Sequence, residues 1–318
     1  MIIYYIHLIY FFFFLLLLFR FIIRTIINSI ITIWLTIEIS LFLFIYICIY
    51  NKYSIERIVN YFLIQSLGSF IFLYRNFLYI SVSYKFMLIS LLIKLAVAPI
   101  HIWLIKVCSG LNLIDIFILL SFQKVIPMIR LFLIIKFNLI NYLIYFIYTS
   151  SLFGSLGGVG QSSLRLILCY SSISHISWTL RIILISSLYW IKYFFIYSII
   201  TIIIIIPINK EKIYRLSQIF SINFRRIVLF FSLGGLPPFI GFFNKVNVID
   251  KLIINNLYLI IIILLFSSLI RLFYYCRLSI FIYINTNFSI NKRFNNKLLL
   301  FINLNLILVI LIFLLYFL

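Results

Sequence analysis

The stretch ISLLIKLAVAPIHIWL, Ile89–Leu104, sets a lysine, a proline and a histidine inside an otherwise apolar run. About 20 apolar residues suffice for a helix to cross the hydrocarbon of a bilayer, and a charge within such a run is costly. Pro99 removes a helix hydrogen bond and clashes with the preceding turn, so the segment reads as a membrane span broken just after Lys94. The only two alanines of the chain, Ala96 and Ala98, both fall within four residues of that lysine. Small side chains there leave room for a close helix or for water.

The rest of the chain repeats the pattern. Of 318 residues, 66% are hydrophobic and 10% charged, and runs of span length recur from end to end. This predicts an all-α polytopic membrane protein. The net charge of +21, from 26 Lys and Arg against 5 Asp and Glu, does not point to nucleic acid, because the basic residues are scattered between apolar runs rather than gathered in a stripe. Their spacing fits loops that face anionic lipid.

Cys48, Cys108, Cys169 and Cys276 lie too far apart for a CxxC or metal-ligand motif, which argues against a disulfide framework, a zinc site or a cysteine-held iron–sulfur cluster. His7, His101 and His175 do not form the two pairs of a haem bundle, and no Gly-rich phosphate loop follows a strand-like segment. Any redox centre is expected in another chain. Met1–Phe19 has no basic n-region, no small-residue cleavage site and no Arg-rich presequence, so it reads as a first span that is retained. The excess of Ile and Phe fits an AT-rich genome, of which organellar genomes are one source.

Apolar runs broken by charge or by Gly and Asn clusters place spans near 3–19, 25–50, 58–74, 84–105, 112–135 and 139–155, then 164–186, 188–207, 225–245, 252–275 and 298–318. That is eleven spans in a single transmembrane domain over residues 1–318, with no soluble domain. With alternating sides, the loops sharing the N-terminal side hold Lys52, Arg57, Lys106, Arg165, the group Lys210, Lys212, Arg215, Arg225 and Arg226, and the group Arg277, Lys292, Arg293 and Lys297. The opposite side holds fewer: Arg20, Arg24, Arg75, Lys85, Lys136, Arg181, Lys192 and Lys251. By the positive-inside rule the N-terminus is inside.

Most charges sit at span ends, where long side chains snorkel to the interface. Four do not. Glu38 lies near the middle of Thr25–Tyr50, about 39 Å of helix at 1.5 Å per residue. A lone carboxylate at that depth costs roughly 2.5–3.5 kcal/mol on insertion scales. Lys94 is nine residues from Lys85 and twelve from Lys106. Lys124 is equally interior and has Gln123 beside it, and Lys245 follows GGLPPFIGFFNK, where Pro237, Pro238 and Gly241 interrupt a span.

One carboxylate can pair with one lysine as a structural ion pair of little net stability, but it cannot neutralise three. An intramembrane series of titratable groups is how a proton relay is built. His101, seven residues after Lys94, either passes protons beside the break or hydrogen-bonds a freed carbonyl, with the second reading slightly favoured. Ser171, Ser172, Ser174 and His175 either line a water path or, as serines in membrane helices more often do, bond their own backbone. Asp115 reads as a cap or loop acid.

These motifs resemble a known family. KLAVAPIHIW at Lys94–Trp103, then Gly110, then FQKVIP at Phe122–Pro127, and SLGGLPPFIGFFNK at Ser232–Lys245 are similar to the antiporter-like chain 2 subunits of NADH-ubiquinone oxidoreductase, mitochondrial respiratory complex I. WLTIEIS at Trp34–Ser40, YFLIQS at Tyr61–Ser66 and GGVGQSSLRLILCYSSISHISW at Gly157–Trp178 add to the resemblance, which extends over roughly residues 30–250 in the family's order.

The resemblance implies an antiporter-like fold with two broken helices, in a subunit that translocates protons while NADH oxidation and quinone reduction occur elsewhere. It implies the lateral series Glu38, Lys94, Lys124, Lys245, with His101 beside it. No cofactor is expected in this chain; FMN, iron–sulfur clusters and ubiquinone would belong to other subunits. Expected partners are other membrane-arm subunits, among them the antiporter-like subunit 4 and small subunit 4L, and membrane lipids including cardiolipin. The expected place is the mitochondrial inner membrane with the N-terminus on the matrix side. The sequence departs from the family pattern at Ile105 and Lys106, where a Pro and an acid are usual, and at Ala96, Gly160 and Leu166, where Gly, Asn and a basic residue are common. Two other functions remain open: a free-standing cation/proton antiporter, and a structural spacer of the membrane arm.

Overall fold

The computed structural model describes residues 30–74, 80–134, 140–185, 189–211 and 224–287, and its regular elements are helices. The expected spans 3–19 and 298–318 lie outside the described residues. The chain divides into two compact units, Met1–Leu143 and Ile144–Leu318. Among the described residues, six stretches are long and apolar enough to cross a membrane: Ile31–Tyr50, Leu113–Ile134, Ile140–Val159, Leu164–Ile185, Tyr189–Lys210 and Tyr258–Ile280.

In the first unit the helices are α1 (Ile30–Tyr50), α2 (Ile55–Tyr74), α3 (Ile80–Leu95), α4 (Ile102–Cys108), α5 (Leu113–Leu120) and α6 (Phe122–Ile134). Helices dominate because a backbone without water must satisfy its own polar groups. α1 shows how an apolar segment acquires two faces. Ile33, Ile37, Leu41 and Phe44 are buried, while Ile31, Leu35, Ile39, Phe42 and Tyr46 are exposed at helical spacing, as a stripe facing lipid requires. α2 packs on α1, α3 and α4, and α6 packs on α1, α3 and α5. Phe44, Tyr61 and Trp103 tie α1, α2 and α4 together, with ring centroids 4.9 Å and 5.9 Å apart.

In the second unit follow α7 (Ile140–Val159), α8 (Leu164–Ile185), α9 (Tyr189–Lys210), α10 (Phe224–Gly234), α11 (Ile240–Ile254) and α12 (Tyr258–Asn287). α8 is the central helix, buried along most of its length and packed against α9, α11 and α12. Gly154, Gly157 and Gly158 lie on one face of α7. A Cβ at Gly154 would press on the Ser174 backbone of α8, and one at Gly158 would press on the Tyr274 ring of α12. Small residues let membrane helices approach this closely. The serines of α8 bond their own backbone, with Ser171, Ser172, Ser174 and Ser177 each donating to the carbonyl three residues earlier.

Several boundaries differ from the sequence reading. The span 112–135, read as continuous, is divided between α5 and α6, whereas 84–105 and 225–245, which read from sequence as interrupted, hold α3 with α4 and α10 with α11. Lys251, expected in a loop, lies in the last turn of α11, where a cation meets the negative end of the helix dipole. The last described helix runs past the expected end at 275 to Asn287. Arg277 does not stop it, because its guanidinium donates to the carbonyls of Val159, the last residue of α7, and of Gln161 just beyond it. Arg181, expected in a loop, is only 2% exposed within α8.

Candidate functional site

Lys94 belongs to the last turn of α3, and local backbone geometry stops the helix there. Ala96 takes a left-handed conformation (φ 57°), its N–H bonds the Ile93 carbonyl and the Val97 N–H bonds Leu92, which is a Schellman cap. The chain then needs Val97–His101 before α4 begins. The lysine's stem lies over Gly68 of α2, with Cγ 3.3 Å from where a Cβ would be, and Nζ donates to the Gln65 carbonyl at 3.3 Å. Both partners sit mid-helix on α2, so Lys94 reaches away from its own helix end.

Lys124 is reached differently. α5 ends at Leu120, and Ser121 turns the chain before α6. Ser121 Oγ donates to Phe117 O at 2.6 Å, and the Lys124 N–H bonds Ser121 O rather than a carbonyl four residues back. Pro127 supplies no N–H for the Gln123 carbonyl, while the Gln123 side chain donates to Ser40 O on α1 at 3.0 Å. Sequence reading treated this span as continuous, so the offset immediately before the lysine is new.

Lys94 and Lys124, 5% and 2% exposed, line one small cavity together with Ser40, Tyr61, Gln65 and Gln123. Its volume is about 20 Å³, room for a single water. No lining residue is acidic. Glu38 is next to Ile37, which does line the cavity, and it lies within electrostatic range of Lys94 and Tyr61. The Glu38 Oε1 is buried without a hydrogen-bond partner among the described residues. His101 does not line the cavity. Its Nδ1 donates to the Pro99 carbonyl at 3.2 Å, the freed-carbonyl role favoured from sequence.

Lys245 belongs to the second unit, and Gly235–Phe239 is a second interruption. Gly235 is left-handed (φ 75°), its N–H bonds Phe231 and Ser232, and the Leu236 N–H bonds Phe231. α11 crosses close behind, for a Cβ at Gly241 would fall on the Ser232 carbonyl oxygen. Lys245 reaches back from α11 and donates to the Gly234 carbonyl, so its ammonium sits at the negative end of α10.

Three features escaped the sequence reading. Tyr61 and Gln65 line the lysine cavity four residues apart on one face of α2, a spacing that their polar character in an apolar run signals. Asp115 does lie in the first turn of α5, but it is fully buried, accepting from Asn51 Nδ2 at 2.8 Å and from the Tyr53 hydroxyl. Arg271, which lies inside the apolar run 252–275, is 0% exposed in α12. The signal that it is interior is the apolar run that continues beyond it.

The family model described as NADH:quinone oxidoreductase/Mrp antiporter, TM matches residues 74–271. NADH-ubiquinone oxidoreductase chain 2 of Aedes aegypti is 38% identical over 229 residues, 68% of this chain and 66% of that protein. The chain of the same description from Anopheles gambiae is 34% identical over 270 residues, 78% of each. A chain of respiratory complex I from Thermus thermophilus with bound Aureothin superposes with a TM-score of 0.67 at 17% identity, over 80% of this chain and 65% of that one; this likeness shows a common fold. The chain spans about two thirds of the length of the Aedes and Thermus chains. A lysine series in helices interrupted at these motifs, together with relatives at this identity, places the chain in the NADH:quinone oxidoreductase/Mrp antiporter family, among the chain 2 subunits of NADH-ubiquinone oxidoreductase.

Proposed function

We infer that this chain is a proton-translocating membrane-arm subunit of respiratory complex I, with eleven spans, two of them the broken helices α3–α4 and α10–α11. It acts in the mitochondrial inner membrane with its N-terminus on the matrix side. Redox chemistry at FMN, iron–sulfur clusters and ubiquinone belongs to other subunits. Neighbours are membrane-arm subunits, including subunit 4 and subunit 4L, and anionic lipids such as cardiolipin that meet the basic loops.

The observation that carries this reading is the cavity shared by Lys94 and Lys124. Two ammonium groups in one poorly hydrated space repel, so the pair favours a state in which one lysine holds the proton and the other is neutral, and the two titrate as a unit. A single water bridging them passes the proton from one to the other. Glu38 supplies the bias. While it is ionised and near, Lys94 holds its proton; when Glu38 is protonated or turned away, that proton moves through the cavity water to Lys124. Onward transfer leads toward Lys245, where the Gly234 carbonyl receives the ammonium.

Replacing Lys124 with Met in the assembled complex tests the reading. The expected result is loss of NADH-driven proton translocation through this subunit, measured beside quinone reduction. Full pumping at normal turnover would overturn it.

A further inference from the structure

Among the described residues Arg271 is the most deeply buried cation of the second unit, 0% exposed in the middle of α12. No carboxylate pairs with it. The chain has five acids, of which only Glu211 and Asp250 belong to this unit, and both are exposed. Among the described residues its Nε, Nη1 and Nη2 atoms make no hydrogen bond of good geometry, and the Tyr193 side chain is a polar group within reach of the guanidinium. Its guanidinium carbon stands 6.0 Å from the centre of the Trp178 ring, and its electrostatic neighbours are Tyr193, Tyr197, Tyr274, Tyr275 and Lys245. Aromatic faces offset part of the cost of a desolvated guanidinium, but an arginine cannot shed its charge as a lysine can. A permanent charge is therefore held where a neutral side chain would be cheaper.

Its neighbourhood ties it to Lys245. Gly234, whose carbonyl receives the Lys245 ammonium, presses on the turn of α12 that follows Arg271: a Cβ there would stand 3.4 Å from the Tyr275 ring and 3.8 Å from Leu272 Cα. On the other side, Tyr193 is hydrogen-bonded to His175 Nδ1 at 2.8 Å. Titratable and charged groups buried on the elements packed against α11 are Arg271, Tyr274 and Tyr275 on α12, Tyr193 and Tyr197 on α9, and His175 and Arg181 on α8. Lys192, exposed on α9, lines a cavity with Asn244 and Lys251, and Asp250 is exposed on α11 itself. None of the buried groups is an acid.

We propose that Arg271 is a positioning residue for proton transfer at Lys245, a fixed positive charge that makes the loaded ammonium costly so that each arriving proton is passed on rather than stored. The guanidinium takes no proton itself; it acts through like-charge repulsion in a site where water does not screen it. This inference rests on the relay reading of Lys245. A purely structural arginine would pack on Trp178 with no influence on when Lys245 releases its proton.

The test uses the assembled complex carrying Arg271→Gln, Arg271→Lys or Lys245→Met, with proton translocation and quinone reduction followed from about pH 6 to about pH 9. Arg271→Gln should slow pumping several-fold and move the alkaline limb of its profile upward by on the order of one pH unit, while Arg271→Lys stays close to the parent. An unmoved profile for the glutamine variant, or equal defects in both variants, would overturn the proposal. Should the glutamine variant not assemble, Arg271→Met decides by the same readout: it should slow pumping and move the alkaline limb upward, and an unmoved profile would overturn the proposal. Normal pumping in Lys245→Met sinks the relay reading itself, whereas lost pumping there with an unmoved Arg271→Gln profile sinks the arginine inference alone.

Discussion

The two interruptions are the same backbone device in opposite electrostatic settings. α3 and α10 both end in a left-handed residue, Ala96 at φ 57° and Gly235 at φ 75°, and in both the next N–H reaches five residues back, Val97 to Leu92 and Leu236 to Phe231. At the first, the lysine precedes the break, leans away onto the Gln65 carbonyl and has Glu38 within electrostatic range. At the second, the lysine follows the break, returns to the Gly234 carbonyl and has Arg271 as its charged neighbour. The first lysine thus has an acid and the second a cation as its charged neighbour. Each interruption supplies a carbonyl or a gap beside a lysine, and the proposed relay turns on the different charge next to it.

The comparison breaks hardest at Gly241. In Gly241→Ala the new methyl would fall on the Ser232 carbonyl oxygen, which is backbone and cannot swing aside. The expected cost is about 3 kcal/mol or more, in the range of overpacked sites. The yield and thermal stability of assembled complex should fall together. Normal assembly would mean that α10 and α11 are not held by this approach.

Glu38→Gln separates the two settings next. It keeps the size of the side chain and removes the charge that favours a loaded Lys94, so the pumping rate should fall by about tenfold, equivalent to ~1.4 kcal/mol. Quinone-linked assembly of the complex should be retained. Unchanged pumping would remove the acid from the comparison and leave the two lysines electrostatically alike.

Much of this was legible in the sequence because the signals are strong and local. Lys94 is nine residues from the nearest other Lys or Arg, and Lys124 and Lys245 lie inside apolar runs; all three are buried. The serines of α8 bond their own backbone, as a hydroxyl without water does. What stayed hidden depends on contacts far away in sequence. Asp115 is buried because Asn51 and Tyr53, more than sixty residues earlier, supply its donors, and nothing within the α5 segment announces them. Arg181 reads as a loop residue because snorkelling is the ordinary behaviour of an arginine near a span end, and its burial within α8 comes from the helices packed around it. The α5–α6 offset hinges on Ser121, a residue common in unbroken membrane helices.

The mildest prediction concerns the caps themselves. Gly235 pays no Cβ penalty in the left-handed region, whereas Ala96 does, at roughly 1 kcal/mol. Ala96→Gly should therefore stabilise the first interruption by up to about 1 kcal/mol, less whatever the freer unfolded chain costs, visible as a small rise in the thermal stability of the assembled complex. Ala96 is also fully buried, so removing its methyl opens a little space beside Lys94. If that space admits a second water, the rise in stability will be accompanied by a change in pumping rate; if packing alone is at stake, pumping will stay as it was. A fall in stability would show that the methyl's packing outweighs the strain, and that the two caps, alike in backbone geometry, are held by different forces.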